Sequence, residues 1–243
     1  MYYLCPMYQY NDQELGKIIV KSNIRAKQII ARKRGDHIQL TVPPGFSPAG
    51  LPSVLNEMRR RLMEISSPKE QLITEETLLE TYPFTARISR THLVEKAKMQ
   101  LKGRELTLLI PAGFELEHPV SQFTVKEMIR HALRHEAKRI LTEKTVRFSE
   151  KHNLQVNGIR INKSVTRWGS CSRLKSINYS FYTMLLPEKQ IDYVVLHELA
   201  HTVEMNHGER FWRLLDHLCG EDAKTISRSL NKFESAAYQL LKP

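Results

Sequence analysis

The sequence predicts an α+β protein in which a β-rich, internally repeated N-terminal region precedes a domain of one long backing helix, a small mixed sheet, a motif-bearing helix and C-terminal helices. Three observations carry this expectation. A strand-and-exit segment occurs twice, a long helical pattern follows its second copy, and HELAHTVEMNHGERFW (197–212) places three histidines and a glutamate within eleven positions.

The repeated segment is GDHIQLTVPPGF (35–46), which returns 68 positions later as GRELTLLIPAGF (103–114). Each copy reads as a turn glycine, an alternating strand and a Pro-X-Gly-Phe exit, and each precedes a helical segment, 51–62 and 123–141. The copies with their helices span 35–62 and 103–141, and the predicted boundary puts the β-rich region at 1–118 and the metal-hydrolase domain at 119–243. Between the copies, residues 66–84 carry Pro68 and Pro83 and read as a connector with a helical turn or more. The second helix buries Met128, Ile129, Leu133, Ala137 and Ile140 and runs to about Glu150. LQVNGIRIN (154–162) alternates as a strand with a turn at Asn157-Gly158. VTRWGSCSRLKSINYSFYTMLL (165–186) reads as two strands joined around Arg173 to Ser176. Pro187 suits the start of the next helix, whose Ile191, Val194, Val195 and Leu199 recur at helical spacing.

On that helix His197 and His201 are four apart, so both imidazoles leave one face at the spacing that grips a single zinc ion. Glu198 lies one step round the helix, where a general base for an activated water is needed. A catalytic zinc keeps one coordination position open, so the third ligand matters. His207 is favoured on ligand type and reach. A continuous helix would carry it about 120° off the ligand face, so the helix must break between 202 and 206; Asn206 in the left-handed conformation and Gly208 suit such a break. Glu204, on the ligand face if the helix continues, and Glu221, from a following helix, are the alternatives.

Lys and Arg number 37 against 26 Asp and Glu, a formal charge of +11 that favours anionic partners over acidic ones. The densest basic piece, RHALRHEAKR (130–139), reads first as a solvated helix face. If nucleic acid is a partner, Arg130, Arg134, Lys138 and Arg139 form the docking strip. Three separated cysteines, Cys5, Cys171 and Cys219, give no disulfide framework, and no leader or membrane-spanning stretch is evident. A cytoplasmic protein with no membrane partner is expected.

The HELAH, Asn206-His207 and Phe211-Trp212 blocks, with RWGSCS (167–172) upstream and YVVLHELAH between, resemble the YgjP-like metallopeptidase family. These are metal-dependent hydrolases related to the SprT and Wss-type proteases. The resemblance spans roughly 22–235, including NIRAKQIIARKRGDHIQLTVP and RHALRHEAKRIL. It implies that His197, His201 and His207 hold the metal, that Glu198 is the base and that Phe211-Trp212 opens a supporting helix. The 68-residue repeat departs from the family's N-terminal pattern. The metzincin peptidases share the histidine spacing, but they carry Gly where this chain has Glu204 and need a later Met-turn; no Met follows Met205. Resemblance and spacing agree on a zincin-like layout, with the active-site helix below an edge strand to which a substrate peptide adds.

RWGSCS reads as a packing or substrate-edge segment rather than a nucleophile, because small residues beside Gly169 let another group approach. Arg167 is a candidate for a substrate carbonyl, and Tyr179 or Tyr182 for an oxyanion. The expected function is a zinc-dependent peptidase acting on a peptide or protein. The alternatives are hydrolysis of a non-peptide bond such as a nucleotide phosphoanhydride, or a DNA-associated protease of SprT or Wss type.

Overall fold

The repeated segments build two four-stranded sheets of one topology. The computed structural model describes residues 7–34, 37–66 and 72–242; Cys5, Pro68 and the turn pair Gly35-Asp36 of the first copy lie outside them. The chain divides into two compact units, Met1–Glu70 and Gln71–Pro243.

In the first unit, β1 (Met7–Asp12), β2 (Gly16–Ser22), β3 (Ile30–Arg34) and β4 (His37–Val42) form a sheet in the order β1-β2-β4-β3, followed by α1 (Leu51–Ser66). The outer pairs are antiparallel and the central β2–β4 pair is parallel. Strand alternation puts Ile18, Val20, Ile38, Leu40 and Val42 on one face, which α1 covers with Leu51, Leu55 and Leu62 at helical spacing.

The second unit opens with β5 (Leu79–Glu80), β6 (Thr85–Thr91), β7 (Lys98–Lys102) and β8 (Glu105–Pro111), ordered β5-β6-β8-β7 with the same pairing senses. Next comes α2 (Pro119–Lys151). β3, β4 and α1 begin at 30, 37 and 51, and β7, β8 and α2 at 98, 105 and 119, so each follows its counterpart by the 68 residues of the sequence repeat. The inward sets correspond too: Ile38, Leu40 and Val42 against Leu106, Leu108 and Ile110. The sequence reading placed the boundary at 118, but the contacts divide the chain near residue 70. The second sheet shares one continuous core with α2 and the later helices, through Ile88, Leu108, Val125, Ile129, Leu133 and Leu141. The connector, expected to hold a helical turn, forms the short β5 among its described residues. It is fastened to α2 by buried Gln122, whose amide accepts from Ile73 N–H and donates to the carbonyls of Ile73 and Leu116.

Beyond α2 lie β9 (Gly158–Asn162), β10 (Gly169–Cys171) and β11 (Ser176–Ser180), ordered β10-β11-β9. β9 runs parallel to β11 and β10 antiparallel, so β10 is an edge strand. Gly158 starts β9 instead of turning a hairpin. A 3₁₀ turn (Phe181–Leu185) leads to α3 (Glu188–Ala200), α4 (Glu209–Cys219), α5 (Ala223–Asn231) and α6 (Ala236–Leu241). No described helix is long and apolar enough to cross a membrane.

α2 is about 50 Å long at 1.5 Å per residue, and it carries the support for α3. Lys144, only 7% exposed at its side chain, donates to Glu188 at 2.8 Å and Asp192 at 2.7 Å, both on the first turns of α3. Tyr82 also donates to Glu188, at 2.7 Å. Lys144 and Tyr82 hold the Glu188 carboxyl below its usual range. Lys144→Met should therefore lower stability by about 1–3 kcal/mol in urea unfolding, since it strips two carboxylates of a shared cation. Because the Glu188 pKa is depressed, its contribution is complete above about pH 4.5 and is lost as pH falls through the lowered value. The difference between wild type and variant should accordingly shrink in acid.

Candidate metal centre

α3 is buried on most of its circumference, which fixes its rotation and leaves half-buried His197 and buried His201 on one face of its last turns. The helix stops at His201. The last turn tightens, with Thr202 N–H donating to Leu199 C=O at 3.0 Å and Val203 N–H to Ala200 C=O at 3.1 Å. The chain then reverses and brings His207 back before α4 begins. Asn206 is not left-handed, contrary to expectation: among the described residues the non-glycine positions with positive φ are Asn153 and Lys175. The tightened turn after Leu199 ends the helix in its place.

The reversal converges three imidazoles. His207 Nε2 lies 3.1 Å from His197 Nε2 and 3.2 Å from His201 Nε2. A tetrahedral ion about 2.0–2.1 Å from each nitrogen would hold them roughly 3.3–3.4 Å apart, so the donor set is close to the size such an ion needs. The tautomers agree. His201 Nδ1 lies 3.0 Å from the Glu204 carbonyl, which can only accept, so that nitrogen carries the proton and Nε2 presents a lone pair. Burial first, then the two neighbouring imidazoles, pushes His197 down to about 3, and burial lowers His201, so both stay neutral. Neutral nitrogens this close are poorly placed without a cation, and among the described residues these three form the group able to hold one.

The three imidazoles rest on one ring. Phe211, fully buried at the start of α4, stacks on His201 at 4.6 Å and meets His197 and His207 edge-on at 5.0 and 4.6 Å. Trp212 Nε1 donates to the His207 carbonyl at 3.1 Å, fixing the returning loop. The Tyr193 hydroxyl, one turn before His197, lies 3.5 Å from His197 Nδ1. Neither Phe211 as a platform nor Tyr193 was singled out from sequence; the i−4 spacing of Tyr193 was the available signal.

Glu198 is 5% exposed, and its Oε2 is buried without a hydrogen-bond partner. Burial pushes its carboxyl up to about 8. Across from it runs β10: a Cβ on Gly169 would lie 2.6 Å from Glu198 Oε1 and 2.7 Å from its Cγ. Any side chain there would have to displace the Glu198 carboxyl, which accounts for the glycine in RWGSCS.

The other candidates are dispersed. Tyr179 is completely buried with its hydroxyl 3.0 Å from Thr145 Oγ1, and Tyr182 is 2% exposed with its hydroxyl on the Leu241 carbonyl. Neither is free to face an oxyanion, because the pleat of β11 and the following turn point them into the core. Arg167 is exposed beside β10. Glu204 contributes its carbonyl rather than its carboxylate, and Glu221 pairs with Lys189 at 2.7 Å, so neither belongs to the cluster. In the basic strip, Arg130 binds Glu127 and the Leu241 carbonyl, and Arg139 binds Glu136, which leaves Arg134 and Lys138 exposed.

His201→Ala and His207→Ala should each abolish stoichiometric metal in protein purified with a divalent ion and dialysed, whereas Glu221→Ala should retain it. Elemental analysis reads the outcome, and metal retained without His207 would exclude it as a ligand.

Comparison with known proteins follows the same residues. A search of curated proteins finds no match. The crystal structure of the metallopeptidase zymogen abylysin from Pyrococcus abyssi is 24% identical, over 38% of this chain and 94% of that one, with a TM-score of 0.34. The family described as "YgjP-like, metallopeptidase domain" matches residues 27–233, a span that contains β3 and β4 of the first sheet, the whole of the second, β10 and the three histidines. The chain belongs to the YgjP-like metallopeptidase family.

Proposed function

We propose that this protein is a zinc-dependent peptidase of zincin-like layout in which Glu198 is the general base. The observation that carries the reading is the placement of a buried, unpartnered carboxylate oxygen one residue from a three-histidine cluster whose third member is exposed. An all-imidazole donor set suits zinc. Zinc, when bound, supplies the Lewis-acid charge that activates water and polarises a carbonyl.

The chain's own residues supply the rest. Glu198 Oε2 takes the proton of the attacking water and later delivers it to the leaving amine. Gly169 leaves room for that carboxylate, and Phe211 and Trp212 keep the imidazoles in register. β10 is positioned to hold the peptide. Its bonded partners run through Trp168 C=O to Ser180 N–H and Ser172 N–H to Ser176 C=O, so alternation turns the N–H and C=O of Gly169 and Cys171 toward the outer edge. A substrate strand could pair there by main-chain hydrogen bonds, which recognise a peptide rather than a particular side chain. Arg167, exposed next to that edge, is the candidate contact for a substrate carbonyl.

Glu198→Gln should keep its metal and lose about 10²- to 10⁴-fold in kcat on a peptide substrate, because the amide matches the carboxylate in size but takes no proton. Turnover near wild type would exclude the base assignment. Cys171→Pro removes an outward N–H while leaving the β11 side paired. It should lower kcat/KM about 10-fold or more with the metal content unchanged, the loss expected of one unmade main-chain bond.

A further inference from the structure

A cavity of about 180 Å³ opens directly beside the metal centre. Clefts of about 520 and 700 Å³ elsewhere in this unit are larger, but neither is lined by a cluster histidine or by Glu198. The small cavity shares His197 and Glu198 with the centre and is otherwise walled by Trp168 and Gly169 of the edge segment, Val194 of α3, and Ser227, Leu230 and Asn231 of α5. α5 packs against α3 here, and Tyr193 completes the wall between them.

The position matters because Gly169 has no side chain. A peptide paired with the outer edge of β10 points alternate side chains to opposite faces of the sheet. Those on the face where Gly169 meets Glu198 are directed toward this cavity, next to the bond that Glu198 and the histidines address.

Size and chemistry limit what enters. A cavity of about 150 Å³ takes a benzene ring, so this space admits the side chain of Val, Leu or Ile or a single phenyl ring but is too small for the nine ring atoms of an indole. Trp168 and the 8% exposed Leu230 offer apolar contact. Among the lining residues no Lys, Arg or Asp is present. An acidic side chain would meet the Glu198 carboxylate, and a basic one would be desolvated against the group that must accept a proton.

We propose that this cavity is the specificity site of the peptidase, receiving one substrate side chain adjacent to the scissile bond and selecting uncharged apolar residues up to the size of a phenyl ring. Leu230 sets its depth and Asn231, exposed at its mouth, its width. The inference rests on the peptidase reading above.

The test is kcat/KM for matched peptides in which each residue flanking the cleaved bond is varied in turn through Val, Leu, Trp, Asp and Lys. Wild type should prefer Leu or Val over Trp, Asp and Lys by about 10- to 100-fold at one flanking position and show little preference at the other. Leu230→Ala should raise the Trp peptide relative to Leu by about 10-fold. Asn231→Trp, a surface change that spares the core, should lower the Leu peptide while leaving one with Gly at that position unchanged. Cleavage without preference at either position, or Leu-to-Trp ratios unmoved in both active variants, overturns the specificity site and leaves the peptidase reading standing. No cleavage of any peptide by the metal-loaded wild type overturns both.

Discussion

Three imidazole nitrogens held 3.1 and 3.2 Å apart present lone pairs to one point, an arrangement that costs energy unless a cation occupies it. Much of the Gln71–Pro243 unit serves to hold that arrangement. The Phe211 ring underlies all three rings, the Glu204 carbonyl fixes the tautomer of His201, and the Trp212 indole fixes the loop that returns His207. The helix must end at His201 for any of this to happen, and the tightened turn after Leu199 ends it.

One layer further out, α3 itself is held in rotation and height. Lys144 gives the long α2 a buried cation shared by two carboxylates of α3, so the backing helix and the motif helix are joined by charge as well as by the apolar core between them. On another side β10 approaches so closely that a Cβ at Gly169 would collide with the Glu198 side chain. The carboxyl group is thereby confined between a helix and a strand, and its second oxygen is buried with no protein partner. The position of Glu198 and that of the β10 edge are thus set by the same contact.

Both four-stranded sheets obey one rule of construction. In each, a central parallel pair is flanked by antiparallel edges, and a single helix covers the apolar face. What differs is the helix. α1 ends at Ser66 after closing its own small core, whereas α2 continues to Lys151 and has surface left over for the three-stranded sheet and for α3. The length of the second helix is what lets its sheet join the unit that carries the histidines.

The sequence by itself determined the elements that depend on local periodicity and on ligand chemistry. The 68-residue repeat announced strands and helices whose starts recur at that spacing, the i, i+4 histidines defined one helix face, and the third histidine required a break whose place was bounded in advance. Gly169 was legible as a site of close approach, though not as the neighbour of Glu198. Only the tertiary structure decided the rest, because it depends on which distant segments meet. Tyr179 and Tyr182 read as oxyanion candidates by residue type, but the pleat of β11 turns the first into the core and the following 3₁₀ turn the second. Glu221 read as a ligand by reach, but Lys189 holds it elsewhere. Phe211 under the imidazoles, Tyr193 beside His197 and the α5 wall of the cavity carry no local signature, since each acts by contact across the fold. Periodicity fixes which way a side chain points from its own element. What it points at is set by packing between elements far apart in the chain.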